Sequence, residues 1–301
     1  MRNKLTDELA VCGMNAALAV SEHHPQTVNR LFLREDRLPL FTGICKQLAE
    51  RKRPYKICED EELERICKSV HHQGVVAMIE EPVIDPLSME DLDLWADKGM
   101  TGVILHSVGN DHNLGAIARA AAFFDVTYIV LNDKDKALKQ QLDFRADVFH
   151  SDNFRTENPD NAAPVTDNEL RLTTSAYRVA EGAFEYLTIR SIRSTSAFLK
   201  DASRRLVTIG TDTRARMRIS DLSGIVKNLT SSNGQAGSKI KINKPGSRPG
   251  IALILGNEEF GLPKDVKDKC SCLLRVPGTG NIDSLNVSQA AALFLHEIFE
   301  L

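Results

Sequence analysis

Residues 251–261, IALILGNEEFG, and residues 273–299, LLRVPGTGNIDSLNVSQAAALFLHEIF, decide the fold of this chain. The five residues 251–255 are apolar without a break, as in a strand buried on both faces of a parallel sheet. Residues 256–258 turn the chain at the carboxyl end of that strand, where open α/β sheets place their ligands. A second strand ends at Val276, and a glycine-rich loop then leads into a long apolar helix. Two loops of small and amide residues therefore leave two strands of one predicted sheet.

The length and composition are those of a folded protein with a full core. The chain has 301 residues, of which 42% are hydrophobic and 26% charged, and its formal net charge is -3. A chain of this size is expected to form two domains, and its composition excludes both a polycation and a disordered protein. The first fifteen residues include acids and no long apolar core, which predicts no signal peptide. No run reaches the roughly 18 apolar residues that a membrane helix needs.

The cysteines and histidines show no pattern of a metal site. The six cysteines are Cys12, Cys45, Cys58, Cys67, Cys270 and Cys272. None of them has the spacing of a zinc site, so reduced thiols in a cytoplasmic protein are the simplest interpretation. The histidines do not recur at ligand spacing on a shared face, and we predict no bound metal.

Residues 1–80 alternate helix and strand on a small scale, which predicts a compact α/β/α domain. Strands are predicted at residues 30–33 and 55–58, and a third follows the turn at residues 72–74. The twelve basic and twelve acidic residues of this region balance. Its charge alone therefore indicates no particular partner.

Residues 81–100 are predicted to connect this domain to a second one. They contain acids and two prolines, which favour extended segments. From residue 101 to residue 301, strands alternate with helices, which predicts a mostly parallel sheet covered on both faces. Residues 132–172 of this second domain are long, polar and acidic, as in an insertion. Such a stretch is either a functional loop or disordered, and its composition favours disorder.

Positive charge is concentrated in one part of the second domain. Residues 190–248 carry thirteen basic and three acidic residues, although the whole chain is acidic. For one or two of these residues a solvated surface is the better explanation, but the whole excess favours contact with RNA or DNA phosphates. The candidate RNA-binding residues are Arg214, Arg216 and Arg218, together with the basic run Arg51, Lys52 and Arg53 of the first domain.

Three motifs in the second domain resemble those of the SpoU (TrmH-like) branch of the SPOUT RNA methyltransferases. They are Asn113-Leu-Gly115-x-x-x-Arg119, Gly256-Asn257-Glu258-x-x-Gly261, and Pro277 followed by Ser284-Leu285-Asn286-Val287. Their order and spacing match, and the resemblance runs from about residue 101 to the end. The first domain is similar to the L30e-like RNA-binding domain that precedes the catalytic domain in many members. The whole arrangement is most similar to the YfiF-type tRNA/rRNA methyltransferases.

The resemblance implies a fold and an activity that the residues alone do not. It implies an α/β domain with a C-terminal trefoil knot, S-adenosylmethionine bound in the knot, and a homodimer with the site near its interface. It implies 2′-O-methylation of RNA ribose. The cofactor-binding residues carried over by position are Leu255, Gly256, Val276, Pro277, Gly280 and Leu285. The implied catalytic residues are Asn113, Arg119, Glu258, Ser284 and Asn286.

The implied role of Arg119 leaves two alternatives. The family often assigns this arginine as the general base, but a guanidinium has a pKa above about 12 and accepts protons poorly near neutrality. We favour stabilisation of the forming alkoxide, or of a neighbouring phosphate, by charge-assisted hydrogen bonds. Methyl transfer then requires mainly an oxygen held in line with the methyl group and shielded from water.

Each motif residue also has a simpler explanation. Asn113, Glu258, Ser284 and Asn286 could cap helices, and Arg119 could be an exposed helix residue in an apolar setting. Singly, these explanations are favoured, but their joint occurrence at family spacing favours a functional site. Two departures from the family pattern are the bulky pair Glu259 and Phe260 in the second motif and Asp125 after the first helix.

Two other functions fit the sequence less well than the methyltransferase. An RNA-binding assembly factor that keeps the fold without catalysis is opposed by the intact set of motif residues. A nucleotide-dependent oxidoreductase is opposed because no G-x-G-x-x-G or G-x-x-x-x-G-K-[ST] segment follows any predicted strand. The sequence does not identify which RNA is the substrate.

Overall fold

The computed structural model describes residues 8–132, 172–230, 240 and 247–301, and the backbone of residues 2–3. Apart from its two ends, the predicted insertion at residues 132–172 lies outside the described residues. Three lysines of the basic stretch, Lys239, Lys241 and Lys244, lie outside them as well.

The described strands belong to two sheets. They are β1 (Arg2–Asn3), β2 (Glu8–Cys12), β3 (Val28–Leu33), β4 (Tyr55–Ile57), β5 (Val75–Glu80), β6 (Thr101–Leu105), β7 (Tyr128–Asn132), β8 (Thr188–Ile192), β9 (Leu206–Thr211), β10 (Met217–Arg218), β11 (Gly250–Leu255) and β12 (Cys272–Arg275). The first five form one sheet and the last seven form the other.

The described α-helices cover these sheets. They are α1 (Met14–His23), α2 (Thr42–Glu50), α3 (Asp60–Cys67), α4 (Met89–Asp97), α5 (Asp111–Phe123), α6 (Thr174–Ala180), α7 (Thr195–Ala202), α8 (Leu222–Thr230), α9 (Lys264–Lys267) and α10 (Val287–Phe299). A 3₁₀ turn, Ala183–Tyr186, follows α6.

The small sheet has the strand order β1-β2-β5-β3-β4. β2 and β3 each pair with β5 in antiparallel fashion, and β4 extends the sheet in parallel with β3. Sequence analysis did not predict β2, although this strand is completely buried. The strand begins with a charged residue, Glu8, which is buried in an ion pair with Arg30. An acid at the start of a five-residue strand hides the apolar pattern that would identify it.

The large sheet confirms the predicted parallel α/β architecture. Its strand order is β10-β12-β9-β11-β6-β7-β8, and every pair of neighbours is parallel. β11, the apolar run predicted first, lies near the centre and is completely buried. β8 was not predicted, because its sequence TIRSI contains an arginine and two hydroxyl side chains. The trefoil knot that the resemblance implies stays a prediction.

Residues 81–100 differ from the predicted connector. They include the helix α4, which begins with a capping box between Ser88 and Asp91. Trp95 of this helix is fully buried, and its indole N–H donates to the backbone oxygens of Met100 and Ile251 at 3.0 and 3.1 Å. A Cβ on Gly102 would lie 2.3 Å from the Trp95 ring, so the glycine is needed for this packing. This segment is therefore part of the core of the second domain.

The two domains pack directly against each other along α1. Gly182 lies so close to α1 that an added Cβ would be 2.7 Å from the Cβ of Ala19. The ring of His23 hydrogen-bonds to the hydroxyl of Tyr186 at 2.9 Å. One apolar cluster includes buried side chains of both domains. The first domain therefore has a fixed docking site on the turn after α6.

Among the described helices, none is long and apolar enough to span a membrane. The six cysteines are all free thiols.

Candidate active site

The three motifs meet at the carboxyl edge of the large sheet. Because β6, β9, β11 and β12 are parallel, the loops that follow them leave the sheet at the same edge. The first motif lies on α5 after β6, the second follows β11, and the third follows β12 and leads into α10. This is the edge at which open α/β sheets bind ligands.

Three polar side chains from the three motifs form one hydrogen-bonded cluster. The amide nitrogen of Asn113 donates to a carboxylate oxygen of Glu258 at 2.5 Å. The amide nitrogen of Asn286 donates to the amide oxygen of Asn113 at 3.1 Å. Asn113 is 8% exposed, whereas Glu258 lies at the surface. The cluster therefore presents an accessible carboxylate that accepts a hydrogen bond from the amide of Asn113, which is itself held by the amide of Asn286.

The residues that cap α5 and α10 show which amides of the cluster also have a structural role. Asn110, not Asn113, caps α5, because its side-chain oxygen accepts from the backbone N–H of His112 at 2.9 Å. Helix capping therefore does not explain the asparagine at position 113. Asn286 does cap α10, and its side-chain oxygen accepts from the backbone N–H of Ser288 at 2.8 Å. Its amide nitrogen remains available for the cluster.

The loop of the second motif is closed by Asn257. Its side-chain oxygen accepts from the backbone N–H groups of Glu259 and Phe260, and its amide nitrogen donates to the backbone oxygen of Ser107 at 3.0 Å. A Cβ on Gly256 would lie 2.5 Å from the backbone carbon of Gly261. The glycine is thus required by the loop's own closure. The family resemblance also places this glycine among the cofactor-binding residues.

The loop of the third motif is open. Pro277, Gly280 and Ser284 are exposed, and Gly280 has a φ of +86°. Val276 is half-buried against the core, while Leu285 is 48% exposed. The structure does not place Ser284 in the hydrogen-bonded cluster.

Leu255 differs from the other residues assigned to the cofactor. Its side chain is 1% exposed and belongs to the apolar core. Only its backbone is left to take part in binding at this edge.

Arg119 points away from the cluster of its own chain. It follows Asn113 by six residues, which places it about 120° around the helix and about 9 Å along it. Its guanidinium forms an ion pair with Glu181 at 2.9 Å, and its side chain is 60% exposed. It lines a shallow cavity of about 310 Å³ between α5 and α6, with apolar neighbours that include Phe123 and Val179. The structure therefore brings together three of the five predicted catalytic residues and leaves out Arg119 and Ser284.

Gly115 of the first motif has a packing role. A Cβ at this position would lie 2.6 Å from the backbone oxygen of Ala176 and 2.7 Å from the Cβ of Val179. The glycine lets α5 and α6 approach closely. It thereby sets the distance between Arg119 and the residues that follow α6.

The basic stretch divides into two groups. Arg214, Arg216 and Arg218 are exposed in the segment that follows β9, at the carboxyl edge of the sheet. Arg205 and Arg248 of the same stretch lie elsewhere and have structural contacts. Arg205, before β9, pairs with Asp93 at 2.8 Å, and Arg248 is half-buried with a hydrogen bond to the backbone oxygen of Ile298. Burial lowers the pKa of Arg248, as expected for a guanidinium with a structural role.

The basic run of the first domain divides in the same way. Arg51 donates to the backbone oxygens of Pro25 and Gln26 at 2.8 and 3.1 Å, and so it holds the segment after α1. Lys52 and Arg53 are exposed. These two remain candidates for contact with RNA.

Sequence analysis missed two residues at this site. Asn257 lies inside the second motif, and its Asx-type turn could have been inferred from the amide beside a glycine. Glu181 carries no motif, and only the Glu-Gly pair after a helical segment indicates a turn there. Its pairing with Arg119 depends on the packing of α6 against α5.

A second polar network lies beside the cluster. The hydroxyl of Thr195 contacts the ring of His106 at 2.9 Å and accepts from the amide of Asn132 at 3.2 Å. It joins the ends of β6 and β7 to the start of α7. Among the described residues, no group of three or more metal-ligating side chains is present.

Comparison with protein families identifies two matches. The model of the SpoU rRNA Methylase family matches residues 146–296, half of the chain. The model for RNA 2′-O ribose methyltransferase substrate binding matches residues 10–83. The first match does not include α5, which carries the first motif.

Two curated relatives align over nearly the whole chain. The 23S rRNA (guanosine-2′-O-)-methyltransferase RlmB of Bordetella pertussis is 26% identical over 95% of both chains. The uncharacterized tRNA/rRNA methyltransferase YfiF of Escherichia coli O157:H7 is 23% identical over 99% of this chain and 69% of its own.

A solved structure has the same fold. The SpoU methyltransferase AviRb of Streptomyces viridochromogenes, in complex with the cofactor AdoMet, superposes with a TM-score of 0.62. It covers 100% of this chain and 93% of its own at 17% identity.

Proposed function

The chain belongs to the SpoU rRNA methylase family, and from this we propose that it methylates RNA. The methyl group passes from S-adenosylmethionine to a ribose 2′-hydroxyl of ribosomal or transfer RNA. One observation carries the proposal beyond family membership. Asn113, Glu258 and Asn286, from three separate motifs, form one accessible cluster at the carboxyl edge of the sheet.

The residues around the cluster fit S-adenosylmethionine. The loops 256–261 and 276–286 present backbone groups at the same edge, and a Cβ on Gly278 or Gly280 would meet nothing within 4 Å. Phe260 and Ile282 of these loops are 81% and 82% exposed, so apolar surface is available for an adenine ring. When bound, the cofactor supplies an electrophilic sulfonium methyl group.

The cluster is suited to hold the ribose in place. Glu258 is oriented by Asn113, and Asn113 by Asn286, so the carboxylate needs little reorganisation to accept a hydrogen bond from a ribose hydroxyl. Orientation of the attacking oxygen contributes much of the rate in a displacement of this kind. The ribose hydroxyl loses its proton as the methyl group arrives, and the Glu258 carboxylate that accepts its hydrogen bond is placed to take that proton. The negative charge that develops on the ribose oxygen needs a cation, and we assign that role to Arg119.

A dimer reconciles the position of Arg119 with this role. Arg119 lies away from the cluster of its own chain, on a face that also carries exposed apolar side chains. Phe123 is 80% exposed on α5, and Leu293 and Phe299 are 44% and 50% exposed on α10. Contiguous exposed apolar surface is typical of an interface. We propose a homodimer through α5 and α10 in which Arg119 of one copy serves the site of the other.

Mixed dimers test this arrangement. Arg119→Ala and Asn286→Ala chains, each with strongly reduced activity by itself, are combined by co-expression under different affinity tags. Because each mixed dimer keeps one complete site, we expect about half of the wild-type activity per dimer. Mixed dimers that stay at this reduced activity would contradict the shared site, and a monomer in light scattering would contradict the dimer.

In the second domain, we assign RNA contact to the arginines at the carboxyl edge of the sheet. Arg214, Arg216 and Arg218 lie at the edge that carries the cluster, whereas Arg204 lies before β9, at the opposite edge. Replacing the first three by glutamine should weaken RNA binding and reduce the salt slope of the logarithm of affinity by about 2–3. Replacing Arg204 by glutamine is the matched control, and we expect no change in the slope.

Mapping ribose 2′-O-methyl sites in cells with and without the gene tests the activity and names the substrate. The purified protein, labelled S-adenosylmethionine and the RNA that lost a site should then reproduce the modification. Cofactor binding in calorimetry without any lost site or transfer would instead favour the RNA-binding factor.

A further inference from the structure

We propose that Glu181 is a positioning residue that orients Arg119 and links it to the first domain through Asn15. This inference rests on the proposed function, because it concerns the arginine assigned to the methyl-transfer site. Its basis is a bridge of three side chains. One carboxylate oxygen of Glu181 pairs with the guanidinium of Arg119 at 2.9 Å, and the other accepts from the amide of Asn15 at 3.2 Å.

The backbone holds Glu181 in place independently of this bridge. Glu181 ends α6 in a left-handed conformation, with a φ of +48°, and its N–H donates to the backbone oxygen of Tyr177. Gly182 follows with a φ of +90° and lies against α1. A Cβ there would be 3.0 Å from the backbone oxygen of Asn15 and 2.7 Å from the Cβ of Ala19. The turn is therefore clamped between α5 and the first domain.

Asn15 is itself held at the start of α1. The preceding residue, Met14, donates its backbone N–H to the side-chain oxygen of Gln73 at 2.7 Å. Gln73 lies in the turn before β5 of the first domain. A continuous set of contacts thus leads from this turn, through α1 and Glu181, to Arg119.

The bridge matters because, among the residues that the structure describes, Arg119 has little else to orient it. Its side chain is 60% exposed, and the other residues lining its cavity are apolar. A guanidinium has five N–H donors, so an ion pair that uses one nitrogen leaves others for a phosphate or an alkoxide. Exposed ion pairs stabilise a fold very little, so the value of this pair lies in orientation. A misplacement of about 1 Å in a catalytic group costs up to about a hundredfold in rate.

Kinetics of Glu181 variants test the proposal. For Glu181→Ala we expect kcat to fall about tenfold to a hundredfold, with the KM for S-adenosylmethionine unchanged. Glu181→Gln keeps an acceptor and should recover part of the loss. Asn15→Ala should lower kcat less than Glu181→Ala, because it removes the link and leaves the ion pair. An unchanged or increased kcat in Glu181→Ala would overturn the proposal.

A double-variant cycle separates positioning from general stability. In the Arg119→Ala background, Glu181→Ala should have almost no further effect on the residual rate, because the group it positions is gone. A full additional loss would mean that Glu181 acts on the fold rather than on Arg119. Glu22→Ala, which removes an exposed glutamate from α1, is the control and should leave kcat unchanged.

A measurement that needs no turnover tests the role of Glu181 separately from the proposed methyl transfer. The heteronuclear NOE of the Arg119 Nε–Hε group, in protein with labelled arginine, reports the order of this side chain. We expect a high value in the wild type, a low value in Glu181→Ala, and an intermediate one in Glu181→Gln. If the wild type transfers no methyl group, the proposed function fails, while the NOE still decides the role of Glu181. Equal values in all three proteins would overturn that role.

Discussion

The first motif has residues on two different faces of α5, and these faces contact different parts of the molecule. The Asn113 face turns inward and joins side chains of the two C-terminal loops in a partly buried cluster. The Arg119 face turns outward, against the end of α6 and beside the first domain. The inward face is completed by the fold of a single chain, whereas in the proposed homodimer the outward face meets a second copy. Residues that form one motif in the sequence therefore lie on different sides of the helix and have separate roles.

Removal of the guanidinium should have the largest effect and tests the outward face. For Arg119→Ala we expect kcat to fall by about 10²–10³, the cost typical of losing a group that stabilises developing charge. Calorimetry should show unchanged affinity for S-adenosylmethionine, because the guanidinium is assigned to the ribose oxygen and not to the cofactor. A parallel loss of cofactor affinity would contradict this division of tasks.

Removal of the central amide tests the inward face. In Asn113→Ala both hydrogen bonds of the cluster are lost, so we expect kcat to fall about tenfold to a hundredfold through disorder of Glu258. Asn110→Ala is the matched control three residues away. It removes the cap of α5 and should lower the free energy of unfolding by about 1 kcal/mol while leaving kcat nearly unchanged. Equal kcat values in the two variants would remove the basis for the cluster.

Substitution of Gly115 tests the close packing of α5 against α6. In Gly115→Ala the new methyl group would meet the backbone of α6, and we expect the free energy of unfolding to fall by about 1–3 kcal/mol in urea titrations. Gly224→Ala in α8 is the control, because its Cβ would meet nothing within 4 Å and alanine favours a helix. If Gly115→Ala were as stable as the control, α5 and α6 would not be in close contact.

A pH-dependent effect of smaller size is expected where the first domain docks. Burial raises the pKa of Glu185 above its ordinary value of 4.5, although its hydrogen bond with His24 opposes the shift. The folded state therefore binds this proton more tightly than the unfolded state, and the resulting stability is lost as the pH rises through the raised pKa.

Glu185→Gln removes the contribution of this carboxyl group to the pH dependence of stability. Relative to the variant, the wild type should lose unfolding free energy between pH 4.5 and pH 7.5, as the pH rises through the raised pKa. Urea titrations at the two pH values measure this difference. A constant difference between wild type and variant across this range would show that Glu185 is not desolvated at the docking site.

Sequence analysis found the elements that have strong local patterns. The unbroken apolar run of β11 predicted a buried central strand, and Asn286 was among the candidate caps for the last helix. The resemblance to the SpoU family is confirmed by the family match, which includes the second and third motifs. β2 and β8 were missed because each is five residues long and carries a charged or hydroxyl side chain within its pattern. Such short segments are identified by their pairing with neighbouring strands, which the local sequence does not contain.

The sequence by itself determined the residue types of the site, their spacing and the strands that carry them, because these depend on local chemistry. Only the tertiary structure decided which residues meet. Asn113 lies 145 residues from Glu258 and 173 from Asn286, and the order of parallel strands brings them together. The ion pair between Arg119 and Glu181 likewise follows from the packing of α6 on α5 and on the first domain. Contacts between distant segments are set by topology and close packing, and these properties belong to the folded chain as a whole.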